Sequence, residues 1–156
     1  MPRLSTLPQI QRNMLLTRAV EVHDDAPRAA LRRPLAEATL AIVTSAGIHR
    51  RDDRPFGRED PGYRVIPAET PAKDLLQSHS SLTLDKTAFS RDVNVVFPID
   101  RIAEFVAEGR IGRVGPRHYS VMGALTDVTR VRDETAPALA GRLVDDGVDV
   151  VLLTPT

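Results

Sequence analysis

The chain has 156 residues, 42% of them hydrophobic, with 21 Lys plus Arg set against 21 Asp plus Glu and no cysteine. That length fits one main core able to remove roughly 70% of the unfolded surface from water, and a formal net charge of zero draws the chain toward neither nucleic acid nor a membrane surface. The lack of cysteine excludes disulfides, thiolate metal sites and a cysteine nucleophile within these residues.

Residues 1–8 carry no long apolar segment, and no stretch approaches the length of a membrane span, so the expected address is the cytoplasm. Ile10, Met14, Leu15, Ala19 and Val22 recur near helical spacing and predict an amphipathic entry helix over 10–22. Pro27 and Pro34 bracket a basic linker, which makes 1–34 an N-terminal helix and linker and 35–156 an α/β domain. Residues 39–44 (TLAIVT) read as a buried strand ending in Ser45 to His49. The charged, Pro- and Gly-rich stretch 50–62 is a loop, and 63–67 a short strand closed by Pro67. A further short strand is expected over 75–80, and a turn or strand over 94–97.

The clearest helix begins at Pro98. Ile99, Ile102, Phe105 and Val106 share a face, Asp100 and Glu104 lie near its positive end, and Gly109 supplies a left-handed stop. Residues 114–122 are extended, and Thr135-Ala136-Pro137 caps a helix carrying Leu139, Leu143 and Val144 that Gly147 ends. Residues 148–153 (VDVVLL) read as a strand buried on both faces, central or near-central in its sheet. The alternation predicts an α/β fold, a mostly parallel, Rossmann-like sheet with helices on both faces, incomplete at the C-terminus. In such sheets ligands sit beyond the carboxyl ends of the strands, which points Thr154 and Thr156 at the crevice.

Histidines occupy positions 23, 49, 79 and 118, without the spacing of a helical metal pair, so no metal site is expected. His49 follows a strand end, where it could face a ligand or bond a backbone carbonyl, and both readings stay open. His79 lies within Ser78 to Ser81, a run of hydroxyls that could hold a small polar ligand but that reads first as a turn. Arg117, His118, Tyr119 and Ser120 join a cation, an imidazole, a phenol and a hydroxyl in four residues, dense enough to be read as a site. The alternative has Arg117 and His118 bonding carbonyls at the end of the preceding helix. Arginine clusters at 28, 32 and 33 and at 50, 51 and 54 read as solvated faces. Gly112 and Gly115 are too few, and follow a helix rather than a strand, for a nucleotide cradle.

Five blocks in order resemble the selenoprotein B family of glycine, sarcosine, betaine and D-proline reductases: 31–38 (LRRPLAEA), 43–49 (VTSAGIH), 60–67 (DPGYRVIP), 92–102 (DVNVVFPIDRI) and 111–123 (IGRVGPRHYSVMG). The resemblance covers roughly residues 30–156 and is strongest to a compact branch of the family. It implies a selenol- or thiol-dependent oxidoreductase that cleaves a C–N bond of a small amino-acid-derived substrate, with a thioredoxin-type dithiol as electron donor. It also implies that the last strand runs into a selenocysteine or cysteine. Selenocysteine is encoded by UGA, so the expectation is a catalytic selenocysteine directly after Thr156 and a misread stop codon, leaving these 156 residues inactive and without a cofactor of their own. At the start of the following helix such a chalcogenide would be favoured by the helix dipole.

On that reading His118 moves a proton, Arg117 holds a substrate carboxylate, Tyr119 and Ser120 orient the ligand, and His49 is the next catalytic candidate. Thr154 and Thr156 line the crevice. Other reductase subunits and a second copy of the chain are the expected protein partners. The competing expectations are a non-catalytic binding or regulatory subunit, and a thioredoxin-like selenol or thiol reductase of disulfides or peroxides.

Overall fold

The computed structural model describes residues 4–17, 29–81 and 86–155, in two compact units, Met1–Ala30 and Leu31–Thr156. The first unit holds α1 (Gln9–Thr17), where Arg12 donates to the carbonyls of Leu4 and Ser5. The remainder of the predicted entry helix, 18–22, lies outside the described residues, as do His23 and Thr156.

The second unit is built on β1 (Thr39–Thr44), five of whose six residues are buried. β1 pairs in parallel with β7 (Val150–Thr154) along one side. Along the other side it pairs in parallel first with β5 (Arg113–Val114) and then with β6 (Arg117–Val121). β3 (Tyr63–Pro67) adds to β6 antiparallel, giving a mostly parallel mixed sheet. A separate antiparallel pair joins β2 (Ile48–Arg50) to β4 (Leu75–Gln77).

Side-chain alternation along β1 sends Leu40 and Ile42 to one face and Ala41 and Val43 to the other. The first face packs into a core with Val96, Phe97, Ile102 and Ile111, covered by α3 (Ile99–Ala107), which follows the short α2 (Lys86–Arg91) in the chain. The second face carries α4 (Ala136–Asp145), and between them runs an apolar groove lined by Val43, Val121, Leu139, Leu143, Val151 and Leu153. Helices therefore lie on both faces, as α/β patterning requires. Among the described residues no helix is long and apolar enough to cross a membrane.

Local chemistry explains the helix boundaries. Asn94 Oδ1 accepts the Asp100 N–H at the start of α3 (3.0 Å) while Asp92 Oδ1 holds the Asn94 N–H (2.9 Å), so one free donor of the first turn is met by a side chain that is itself fixed. Gly109 (φ +70°) and Gly147 (φ +65°) take the left-handed conformation that ends α3 and α4. Thr135 does not cap α4 with its hydroxyl, which donates to the Pro61 carbonyl at 2.7 Å. One wide turn of π-helix, Val131–Thr135, leads directly into α4, so the chain is already helical where a cap was expected.

β7 also differs from expectation. Among the described strands it pairs with β1 alone and its residues are half-buried, with Leu153 67% exposed. An apolar run fixes that a strand forms but not whether both its edges find partners.

Gly112 sits where β5 is delivered to the start of β1. Its N–H donates to the Leu35 carbonyl (3.0 Å), the next N–H donates to Ala38 (3.1 Å), and a Cβ at Gly112 would lie 2.5 Å from the Glu37 carbonyl carbon. Backbone on both sides cannot yield cheaply. Gly112→Ala is expected to cost about 2 kcal/mol, read as a lower urea midpoint at unchanged slope; a midpoint equal to the parent's would show that the two segments do not approach so closely.

Candidate functional site

The β5–β6 segment is interrupted at Gly115-Pro116, and the residues after the break repair the sheet. Gly115 N–H still donates to Leu40 (2.8 Å), but Pro116 has no N–H and the register resumes only at Tyr119 opposite Val43. The Ile42 N–H in the gap donates to His118 Nδ1 at 3.1 Å, the imidazole standing in for a strand carbonyl. Burial alone, at 2% exposure, pushes the His118 pKa down to about 4, and Phe97 meets the ring edge-on with centroids 5.5 Å apart. The neutral ring therefore carries its proton on Nε2. Ser120 is used in a similar way, its Oγ accepting the Ile48 N–H at 2.8 Å and tying β2 to β6.

Arg117 and Tyr119 converge on Asp146, which caps the carboxyl end of α4. The Arg117 guanidinium donates through Nε and a terminal nitrogen to both Asp146 oxygens, and Tyr119 OH donates to Oδ2 at 2.9 Å. The Asp146 side chain is only 5% exposed, and the Arg117 hydrogen bonds hold its carboxyl below the ordinary range despite burial. Burial, aided by the hydrogen bond to Asp146, raises the fully buried Tyr119 phenol to about 12. This cluster lies toward the amino ends of the parallel strands, since Asp146 precedes β7. The partner of Arg117 is thus a carboxylate on α4 rather than a carbonyl ending the preceding helix.

The carboxyl ends of the strands form the other candidate region. Thr44 and Thr154 Oγ1 both donate to the Val96 carbonyl, at 3.0 and 2.9 Å, and Ser45 N–H donates to the Thr154 carbonyl at 3.2 Å. Ala46 bridges Met122, so β1, β6 and β7 end side by side. The segment after β4 packs across these ends, with Ser78 N–H on the Gly47 carbonyl (2.9 Å) and the Gln77 amide donating to Ala46 (3.1 Å). His49 is 1% exposed, with Nδ1 2.8 Å from the Arg50 carbonyl and Nε2 2.8 Å from Ser78 Oγ. Because a carbonyl only accepts, Nδ1 bears the proton of the neutral ring and Nε2 receives the serine hydroxyl. Both residues line an open pocket of about 360 Å³ with Gln77, Lys86 and Phe89.

The structure thus separates the residues that the sequence suggests as a site. Arg117, Tyr119 and Asp146 form one cluster, His118 and Ser120 hold strands together, and Thr154 belongs with His49 and Ser78 at the carboxyl side. Sequence reading overlooked Asp146, whose place at the end of α4 looked like an ordinary helix terminus. For His79 it ranked a ligand-holding role second to a simple turn, whereas the structure buries the residue.

Comparison with known proteins places the chain firmly. Residues 16–156 match the family model described as glycine/sarcosine/betaine reductase selenoprotein B. D-proline reductase subunit gamma of Acetoanaerobium sticklandii is 36% identical over 123 residues, covering 78% of this chain and 50% of that protein. Glycine reductase complex component B subunit gamma of Carboxydothermus hydrogenoformans is 31% identical, covering 80% of this chain and 29% of its own length. Betaine reductase complex component B subunit beta of Peptoclostridium acidaminophilum is 29% identical, over 82% and 30%. The chain spans half or less of the length of these relatives, which are subunits of reductases or reductase complexes. No solved structure matches it.

Proposed function

The chain belongs to the glycine/sarcosine/betaine reductase selenoprotein B family, and we propose that it is the substrate-holding part of a reductase subunit that reductively cleaves a C–N bond in a small amino-acid-derived carboxylate. The observation that carries this reading is the 36% identity to the D-proline reductase subunit across 78% of the chain. Overall a dithiol gives two electrons and two protons and becomes a disulfide. The C–N bond is exchanged for C–H and N–H, so the nitrogen leaves as ammonium or an amine from an open-chain substrate and stays on the opened chain as a primary amine when the bond lies in a ring such as that of D-proline.

Residues 1–156 contain no cysteine, so in this reading the nucleophile is a selenol or thiol supplied from outside them. A selenocysteine directly after Thr156 is the form the family resemblance favours. The crevice at the carboxyl ends of β1, β6 and β7 holds the substrate, with Thr154 at its edge and His49, polarised between Ser78 and the Arg50 carbonyl, beside it. Arg117, His118, Tyr119 and Ser120 act as positioning residues, because their polar atoms hold β6 to β1, β2 and α4. A thioredoxin-type dithiol protein, further reductase subunits and a second copy of the subunit are its proposed partners in the cytoplasm.

The test is C–N cleavage by the full-length subunit with its partner subunits and dithiothreitol, read as release of ammonia or amine from glycine, sarcosine and betaine and as ring opening to the linear amino acid from D-proline. Cleavage that disappears when the chalcogen residue is replaced by serine supports the reading. No cleavage of any of the four substrates by the assembled complex overturns it, in favour of a non-catalytic binding subunit.

A further inference from the structure

The carboxyl edge of the sheet contains one buried imidazole that the roles above leave unused. His79 follows β4 and is 3% exposed. Its backbone rests on Gly47 (φ +63°), where a Cβ would lie 3.3 Å from both His79 N and Cα. Its ring edge lies against Gly123, where a Cβ would fall 2.8 Å from His79 Nε2, 2.8 Å from the Ser45 carbonyl oxygen and 3.3 Å from Ser45 Oγ. The ring can reach this place only because residue 123 has no side chain. Ser45 N–H is bound to Thr154 and Ala46 bridges Met122, so Nε2 is aimed at the point where the ends of β1, β6 and β7 meet.

The protonation of the ring follows from its contacts. Nδ1 accepts the Ser81 N–H at 3.1 Å and so keeps its lone pair, which puts the proton of the neutral ring on Nε2. Burial first, and then the charge of Lys86, hold the pKa below the ordinary histidine value, so the ring is neutral at pH 7. Nε2 is buried and has no hydrogen-bond partner, a condition that native proteins rarely leave standing. With no lone pair on that nitrogen, it is neither a metal ligand nor a general base. It can only serve an acceptor.

We propose that His79 is a substrate-contacting residue whose Nε2–H donates to a carboxylate oxygen of the small amino-acid-derived substrate at the carboxyl edge of the sheet. This rests on the reductase reading and adds a named substrate contact to it. Gly123 belongs to the same site, since any side chain there displaces the ring.

Long-range proton–nitrogen spectra of the 15N-histidine-labelled full-length subunit test it, with glycine, betaine, D-proline and acetate as probes. The expected result is a protonated Nε2 at His79 that shifts saturably with at least one of these carboxylates. His79→Gln places an amide N–H where Nε2 stood and is expected to keep that affinity within about threefold, whereas His79→Phe weakens it by about tenfold or more. If the phenylalanine variant does not fold, the wild-type tautomer and titration still decide. A proton on Nδ1, or an Nε2 signal indifferent to all four carboxylates, overturns the proposal. C–N cleavage by the complex together with an indifferent His79 would sink this inference and leave the reductase reading intact; a responsive His79 without C–N cleavage would do the reverse.

Discussion

Replacing Asp146 by alanine is expected to lower the unfolding free energy by about 2–4 kcal/mol. The carboxylate is 5% exposed on its side chain, and it receives two nitrogens of Arg117 and the hydroxyl of Tyr119. Its removal leaves a phenol, on a residue that is itself fully buried, without its acceptor, and a guanidinium without its hydrogen-bonded carboxylate. Such losses exceed the net worth of the intact pair, because the abandoned groups keep their desolvation cost. Arg117 remains 34% exposed and can turn partly to water, which places the figure below that of a fully enclosed pair. Asp146→Asn keeps an acceptor for Tyr119 and should fall between parent and alanine. Urea denaturation followed by circular dichroism reads all three, and an alanine variant within about 0.5 kcal/mol of the parent would show that the cluster does not tie α4 to β6.

The second large effect is a pH dependence from His118. The unfolded imidazole takes its proton near pH 6.5 and the folded one only at about 4, so between these values the unfolded chain binds more protons than the folded one. His118 therefore contributes stability that is complete above pH 6.5 and is lost as the pH falls toward 4, by about 3 kcal/mol in total. Stabilities of the parent and of His118→Asn, measured from pH 7 to 4, isolate the contribution. The Asn carboxamide oxygen can accept the Ile42 N–H in place of Nδ1, and it does not titrate. His79, also held low, and the depressed carboxylates shift stability in the same sense but are present in both proteins. The difference between the two curves should slope only across that window. Parallel curves would mean that His118 titrates normally and is not enclosed against Ile42 and Phe97.

Local pattern and tertiary pairing account for what could be foreseen. β1 and β3 were legible because apolar, β-branched residues lie between turn residues, and α3 and α4 because their apolar positions recur at helical spacing and a glycine ends each. The edge position of β7, the pairing of Arg117 with Asp146 across 29 residues and the gap that His118 fills opposite Ile42 depend on which segments meet in space. Periodicity does not encode that. The dense functional appearance of residues 117–120 has separate structural causes: His118 satisfies the backbone donor left by the break at Pro116, Ser120 ties β2 to β6, and Arg117 and Tyr119 bind Asp146. The ligand reading of His79 ranked below a turn for a related reason, since the serines around it say nothing of a glycine 44 positions away that makes room for its ring.

Reading the gene or transcript through and beyond the Thr156 codon tests the central claim most directly, because the reductase reading places the redox nucleophile outside these 156 residues. The account predicts an open frame that supplies a UGA-encoded selenocysteine or a cysteine close after Thr156, followed by a helix-forming segment. A frame that encodes neither residue would contradict it and leave a binding domain of reductase ancestry without the chemistry.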